Sequence, residues 1–287
     1  QHRFKEKVPI ILYASHTDFQ QTNVLSGFIS EGTGGVTEFN KNRILLPFTG
    51  SYAELEHVLT HELVHAFQGD VLYGAGPGVS ILNPMAFVAP LWFMEGMAEY
   101  LSLGRIDTYT HMWLRDAALQ GYLPASIPAM DYSFGVYRFG QALFAYIADR
   151  YGDRKIGEIL RKLGRIRDVN EAFKSTIGKD IKKLSDEWNE HVRKTYLPQI
   201  KDYDKPQSFA RQLTDVKESR AGFHLAPAIS PRGDKLVFIS NEGLYNDIYL
   251  ASAINGKIIS KLVAGERSAD FESLRFFSTS ISWSPCL

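Results

Sequence analysis

Read as hydrophobic and polar positions alone, the chain changes its period three times. Up to about residue 50 it consists of short apolar runs, at residues 8–14, 24–29, 36–39 and 44–48, separated by turn residues. Runs of this length, rich in Val, Ile and Phe, predict strands. The turn residues Asn40-Lys41-Asn42 between the last two runs predict a hairpin, entered through the Gly-rich turn Gly32-Thr33-Gly34-Gly35. From Ser51 the period becomes helical. Ser51 and Glu54 form a Ser-x-x-Glu capping pattern, and Leu55, Val58, Leu59, Ala66 and Phe67 recur at steps of three and four. A helix is expected over residues 52–68, with Gly69 as its stop. Residues 71–90 are punctuated by Gly and Pro and read as a long loop. Pro90 and Gly104 bracket a second helix, Leu91–Leu103. Further helices are predicted at residues 107–120, 137–151, 154–163, Val169–Ile177 and 181–197, with Gly152, Gly164 and Gly178 as terminators. Strands first and a run of helices afterwards is the α+β layout.

After Pro198 the pattern changes again. Residues 201–208 are polar and contain Pro206, a candidate linker, so the chain divides into a domain at 1–200 and a segment at 201–287. Ser230-Pro231-Arg232-Gly233-Asp234 then leads into a predicted strand at 236–240, followed by another at 247–251. The phrase returns in Ser280-Ile281-Ser282-Trp283-Ser284-Pro285, its Ser-Pro 54 residues after the first. Spaced copies of this kind signal a repeat architecture. The phrase resembles the start of a blade in TolB-like β-propellers, where a Ser-Pro-Asp-Gly turn is typical. That resemblance implies an incomplete C-terminal all-β propeller segment. A propeller needs roughly four blades or more, so the missing C-terminal blades are expected beyond residue 287, in a longer protein.

Composition narrows the class. The 287 residues are 45% hydrophobic and 22% charged, which is globular, in one large or two ordinary domains. With 32 Lys+Arg against 32 Asp+Glu there is no basic excess to attract nucleic acid. The longest apolar run, residues 85–94, is about half of the roughly 20 residues a spanning helix needs, so no transmembrane segment is expected. The single cysteine, Cys286, rules out a disulfide framework or a Cys-based metal site. A start at Gln1 rather than Met is expected of a trimmed N-terminus and leaves the compartment open.

The chemistry begins at His61-Glu62-Leu63-Val64-His65, in the middle of the capped helix. One helical turn separates His61 from His65, so both project from one face. Two imidazoles so placed can grip one zinc ion, with Glu62 alongside to accept a proton from water held there. The plainer alternative is a pair of surface histidines and a solvated glutamate. The second helix carries Trp92-Phe93-Met94-Glu95-Gly96-Met97-Ala98-Glu99-Tyr100, in which Glu95 and Glu99 share a face. Two carboxylates in apolar company are costly unless a positive charge compensates them. This makes Glu95 a third metal ligand and Glu99 an acceptor for a histidine N–H, against the alternative of an exposed, salt-bridged pair.

His-Glu-x-x-His followed by Glu-Gly-x-Ala-Glu-Tyr resembles the gluzincin zinc peptidases, the group that includes thermolysin and the aminopeptidase N-like enzymes. Over roughly residues 8–197 the resemblance implies a thermolysin-like domain, a small mixed sheet plus a helical bundle. It implies one Zn2+ held by His61, His65 and Glu95, with Glu62 as general base. Glu95 follows His65 by 30 residues, a longer step than in familiar members, and the loop at 71–90 absorbs the difference, where it could overhang the cleft. In Tyr132-Ser133-Phe134-Gly135-Val136-Tyr137-Arg138-Phe139-Gly140-Gln141-Ala142, Tyr137 corresponds to the tyrosine that donates a hydrogen bond to the oxyanion in aminopeptidase N-like enzymes. Tyr132 and His111 are the substitutes, since this chain has 14 tyrosines and most pack for other reasons.

The strand with Gly35, Val36 and Thr37 is expected to align an extended substrate backbone. Aminopeptidases of the group have Gly-x-Met-Glu-Asn there. In this chain Glu38 falls one position later, which in a strand moves the side chain to the other face. The reading is therefore a zinc-dependent hydrolase of peptide or protein substrates, more an endopeptidase than an aminopeptidase. An inactive peptide-binding module is the alternative from another class, disfavoured by the intact Glu62. TolB-like repeats beside a zinc peptidase imply an extracytoplasmic protein, periplasmic or secreted.

Overall fold

The computed structural model describes residues 3–285 apart from positions 5, 26, 28, 30–31, 133–134, 202, 205, 220 and 244 and the stretches 75–87 and 266–280. It divides into two compact units, Gln1–Asp202 and Tyr203–Leu287.

The first unit opens with β1 (Ile10–Tyr13), α1 (His16–Gln20), β2 (Val36–Glu38) and β3 (Arg43–Pro47), the three strands ordered β1-β3-β2. β1 runs parallel to β3. β2 runs antiparallel to it, closing the expected hairpin through a short 3₁₀ turn and Asn42, whose φ is +48°. β2 is thus an edge strand of this sheet. The strand expected at 24–29 does not form among its described residues. Ile29 instead packs with Phe19 of α1 and Leu45 of β3, and Val24 lies against the same cluster. The preceding helix α1, capped by Ser15, is what the apolar-run reading missed.

α2 (Tyr52–Leu72) starts at the Ser51 cap but continues past Gly69. A Cβ on Gly69 would lie 2.4 Å from the Phe39 ring, so this glycine makes room for a neighbour rather than ending the helix. α6 (Arg154–Ile166) likewise passes through Gly164, where a Cβ would meet the Val71 carbonyl oxygen at 2.6 Å. α3 (Leu91–Leu103) has its first free N–H groups capped by the Asp131 carboxylate, at 2.5 Å from Trp92 N. α4 (Thr108–Gln120), α5 (Val136–Tyr151), α7 (Val169–Ile177) and α8 (Ile181–Ile200) follow, the last running past Pro198. Their apolar faces converge on one core containing Trp92, Phe93, Phe139, Phe144, Phe173 and Trp188. Within it, α3 and α5 approach so closely that a Cβ on Gly96 would sit 2.6 Å from Gly140 Cα, and the converse holds. No helix is long and apolar enough to cross a membrane among the described residues. Helices and small sheets of mixed pairing make this an α+β domain.

The second unit has two short helices, α9 (Pro206–Phe209) and α10 (Val216–Ser219), and an antiparallel meander β4-β5-β6-β7. The strands are β4 (His224–Ile229), β5 (Lys235–Ser240), β6 (Asp247–Ser252) and β7 (Ile258–Val263). β4 went unread because Pro227 interrupts it. The strand tolerates the proline through a register break between Leu225 and Ala228, with Ala226 at φ +50°. β7 is exposed along most of its length, so no apolar alternation announces it. Trp283, in the second Ser-Pro phrase, donates its indole N–H to the Ala228 carbonyl at 3.0 Å. Cys286 and much of the long loop before α3 lie outside the described residues.

Candidate functional site

α2 turns His61, Glu62, His65 and Gln68 inward, and all four are buried. α3 packs against this face and brings Glu95 and Glu99 to it. His61 Nε2 and His65 Nε2 are 3.0 Å apart, and Glu95 Oε2 lies 3.1 Å from the first and 3.2 Å from the second. Two imidazole nitrogens and a carboxylate oxygen thus face one point. A single proton can bridge only one pair of them, so the three cannot satisfy one another. Tetrahedral zinc, with bonds of about 2.0–2.2 Å, asks for ligand atoms roughly 3.3–3.5 Å apart. The donor set and its spacing fit such an ion with little movement.

The charges point the same way. Burial opposes a charge on His61, but Glu95 and Glu99 outweigh it and push the imidazole up to about 9. Burial would also raise Glu95, yet hydrogen bonds to His61 and His65 hold its carboxyl down to about 2. The two glutamates thus favour positive charge beside them. Behind the ligand atoms, His65 Nδ1 pairs with Gln68 Oε1 at 2.7 Å, and Gln68 Nε2 donates to the Met94 carbonyl at 2.9 Å. This arrangement leaves the Nε2 lone pair of His65 facing the centre. Glu99 Oε1 lies 3.1 Å from His61 Nδ1, within ion-pair reach although off the line of a hydrogen bond, so the buried Nδ1 has no aligned acceptor.

Glu62 is held from the strand side. The Thr37 hydroxyl donates to Glu62 Oε2 at 2.6 Å and lies 2.9 Å from the Glu62 carbonyl. A Cβ on Gly35 would come 2.9 Å from Glu62 Cγ, so the start of β2 lies directly on this side chain. Gly35 and Thr37 thus face α2. Val36 packs the other way, with Phe19, Ile29 and Leu45. Glu38 pairs with Lys41 at 2.9 Å and with Arg43. Those cations hold its carboxyl below the usual range in spite of the opposing effect of burial.

Tyr137, in the first turn of α5, lies beside His61 with ring centroids 6.2 Å apart and is 42% exposed. Burial of its hydroxyl, then the nearby carboxylates of Glu95, Glu99 and Glu62, push its pKa well above the usual phenol value, so it stays a neutral donor. No contact joins either of the two substitutes to the cluster among the described residues. Tyr132 is 95% exposed, and His111 Nδ1 is engaged by the Tyr196 hydroxyl on α8. Sequence reasoning missed Gln68 and Arg138. Gln68, one turn beyond His65 on the same face, was readable in principle. Arg138 carried no local signal.

Among the described residues His61, His65 and Glu95 form the only cluster of three or more side chains able to hold a metal ion. A family model described as the peptidase MA superfamily matches residues 2–194. No curated protein matches the chain.

Proposed function

Since the chain belongs to the peptidase MA superfamily, we propose that it is a gluzincin-type peptidase that uses one zinc ion held by His61, His65 and Glu95. The observation that carries this reading is the triangle of ligand atoms with sides of 3.0, 3.1 and 3.2 Å. Held by these three side chains, zinc would supply Lewis acidity to polarise a scissile carbonyl and to acidify the attacking water. The protein's own groups do the rest. Glu62, steadied by Thr37, accepts the proton of the attacking water and returns it to the leaving amine. Tyr137 donates its hydroxyl to the developing oxyanion, a charge present only in the transition state. β2, an edge strand among the described residues, aligns the substrate backbone by strand addition.

Cleavage within chains is the favoured mode. A glutamate gripping a substrate α-amine must face the cleft, whereas Glu38 is neutralised by Lys41 and Arg43 away from Glu62. A peptide library offered with free and with blocked N-termini tests this. Equal cleavage of both forms is expected, and a strict need for a free amine would establish an aminopeptidase. For the chemistry itself, Glu62→Gln is expected to retain zinc, measured by metal analysis, while losing turnover by several orders of magnitude. His65→Ala is expected to lose the metal as well. Turnover by Glu62→Gln at the wild-type rate would remove Glu62 from the mechanism.

The meander of the second unit, with Trp283 returning to β4, supports a TolB-like propeller blade. Its use as a docking or size-filtering module, and an extracytoplasmic location, rest on that resemblance.

A further inference from the structure

Glu99 is a buried carboxylate whose two oxygens face different partners. Oε1 turns to His61 Nδ1 at 3.1 Å and to His57 Nε2 at 3.5 Å. Oε2 accepts from Arg138 Nη1 at 3.2 Å. The same Arg138 nitrogen lies 3.4 Å from Asp107 Oδ2, which caps α4 by accepting from Thr110 N at 2.7 Å. Arg138 therefore links α5 to α3 and to the start of α4 at one point. A buried carboxylate without a counter-charge would be costly, and an imidazole facing it at an imperfect angle is a weak partner by itself. The guanidinium supplies the charge and takes up the far oxygen, which leaves the near oxygen for His61. Arg138 also follows Tyr137 directly, so consecutive residues of α5 approach His61 from two sides, one past its ring and one through Glu99.

We propose that Arg138 is a positioning residue for the metal centre, acting through Glu99 to set the imidazole of His61. The proposal rests on the zinc reading above and adds a residue outside the three candidate ligands. It is read from zinc affinity rather than turnover, by competition of the 287-residue chain with a chromophoric chelator. R138Q is expected to weaken zinc binding about 10- to 100-fold, the usual cost of losing a partner behind a metal ligand. R138K, which keeps the charge, is expected to recover most of that loss. In an E99Q background, R138Q is expected to add no more than about 2-fold, because Glu99 is the route by which Arg138 acts.

An R138Q affinity within about 2-fold of wild type overturns the proposal, and so does a loss of equal size with and without E99Q. R138M, which keeps the apolar stem, is the second variant and is held to the same criteria. If neither folds by circular dichroism, Arg138 serves the fold and the proposal fails. A wild-type chain that binds no zinc would sink the zinc reading and this one together. Normal zinc binding with an indifferent Arg138 would sink this one alone.

Discussion

At the scale of single residues, some side chains of the candidate site are held by a neighbour from another element. Thr37 is the clearest case, because its hydroxyl reaches the Glu62 carboxylate at 2.6 Å. A hydrogen bond to a charged group contributes about 1.5–3 kcal/mol, so Thr37→Val is expected to lower kcat roughly 10- to 100-fold. Zinc content should stay at the wild-type level, and Thr37→Ser should restore the rate. Metal loss in Thr37→Val would show that the strand supports the centre rather than the base. For Tyr137→Phe the expected cost is about 10²–10³ in kcat with KM little changed, since the phenol acts on charge that exists only in the transition state. A rise in KM alone would make Tyr137 a substrate contact. The spacing of His61 and His65 was legible because helix geometry places them on one face whatever the fold. Thr37 as a partner of Glu62 was not, because strand and helix meet only through tertiary packing.

At the scale of elements, the glycines separate what pattern can and cannot say. Gly69 and Gly164 were read as terminators, yet both lie inside helices and create room for Phe39 and for the Val71 carbonyl. A sequence shows that a side chain is absent but not what fills its place. Gly96 and Gly140 make the same point at the α3–α5 contact, which sets Glu95, Glu99, Tyr137 and Arg138 near one another. A Cβ there would stand 2.6 Å from opposing backbone, which cannot yield as a flexible side chain can. Gly96→Ala and Gly140→Ala are each expected to cost about 1–3 kcal/mol in urea unfolding, with loss of zinc affinity. Gly157→Ala is the contrast. Its nearest neighbour would be Arg161 Nη1 at 3.6 Å, so relief from glycine in a helix should stabilise by roughly 0.5–1 kcal/mol. Equal effects at all three positions would mean that the helix contact is not tight.

At the scale of the whole molecule, the three candidate metal ligands all lie within the first unit, on α2 and α3. An ion that binds the folded but not the unfolded chain stabilises what it binds by mass action, about 4 kcal/mol at a thousandfold excess over Kd. Calorimetry of the full chain is therefore expected to show that a chelator lowers the melting temperature of the helical unit and leaves that of the β-meander unchanged. A shift of both transitions together would mean that the units unfold as one.

What the amino-acid order determined here is whatever local geometry fixes. Ser51 starts a helix, His61 and His65 share its face, Glu95 and Glu99 share another, and β2 and β3 form a hairpin about Asn42. These follow from the pitch of a helix and the period of a strand, which need no knowledge of distant residues. Only the folded chain decided that Glu99 divides its oxygens between His61 and Arg138, that Thr37 holds Glu62, and that α3 and α5 touch at glycine. Those relations join positions dozens of residues apart. They depend on how elements pack, on the shape and burial of what lies between them, and so appear only when the chain is closed on itself.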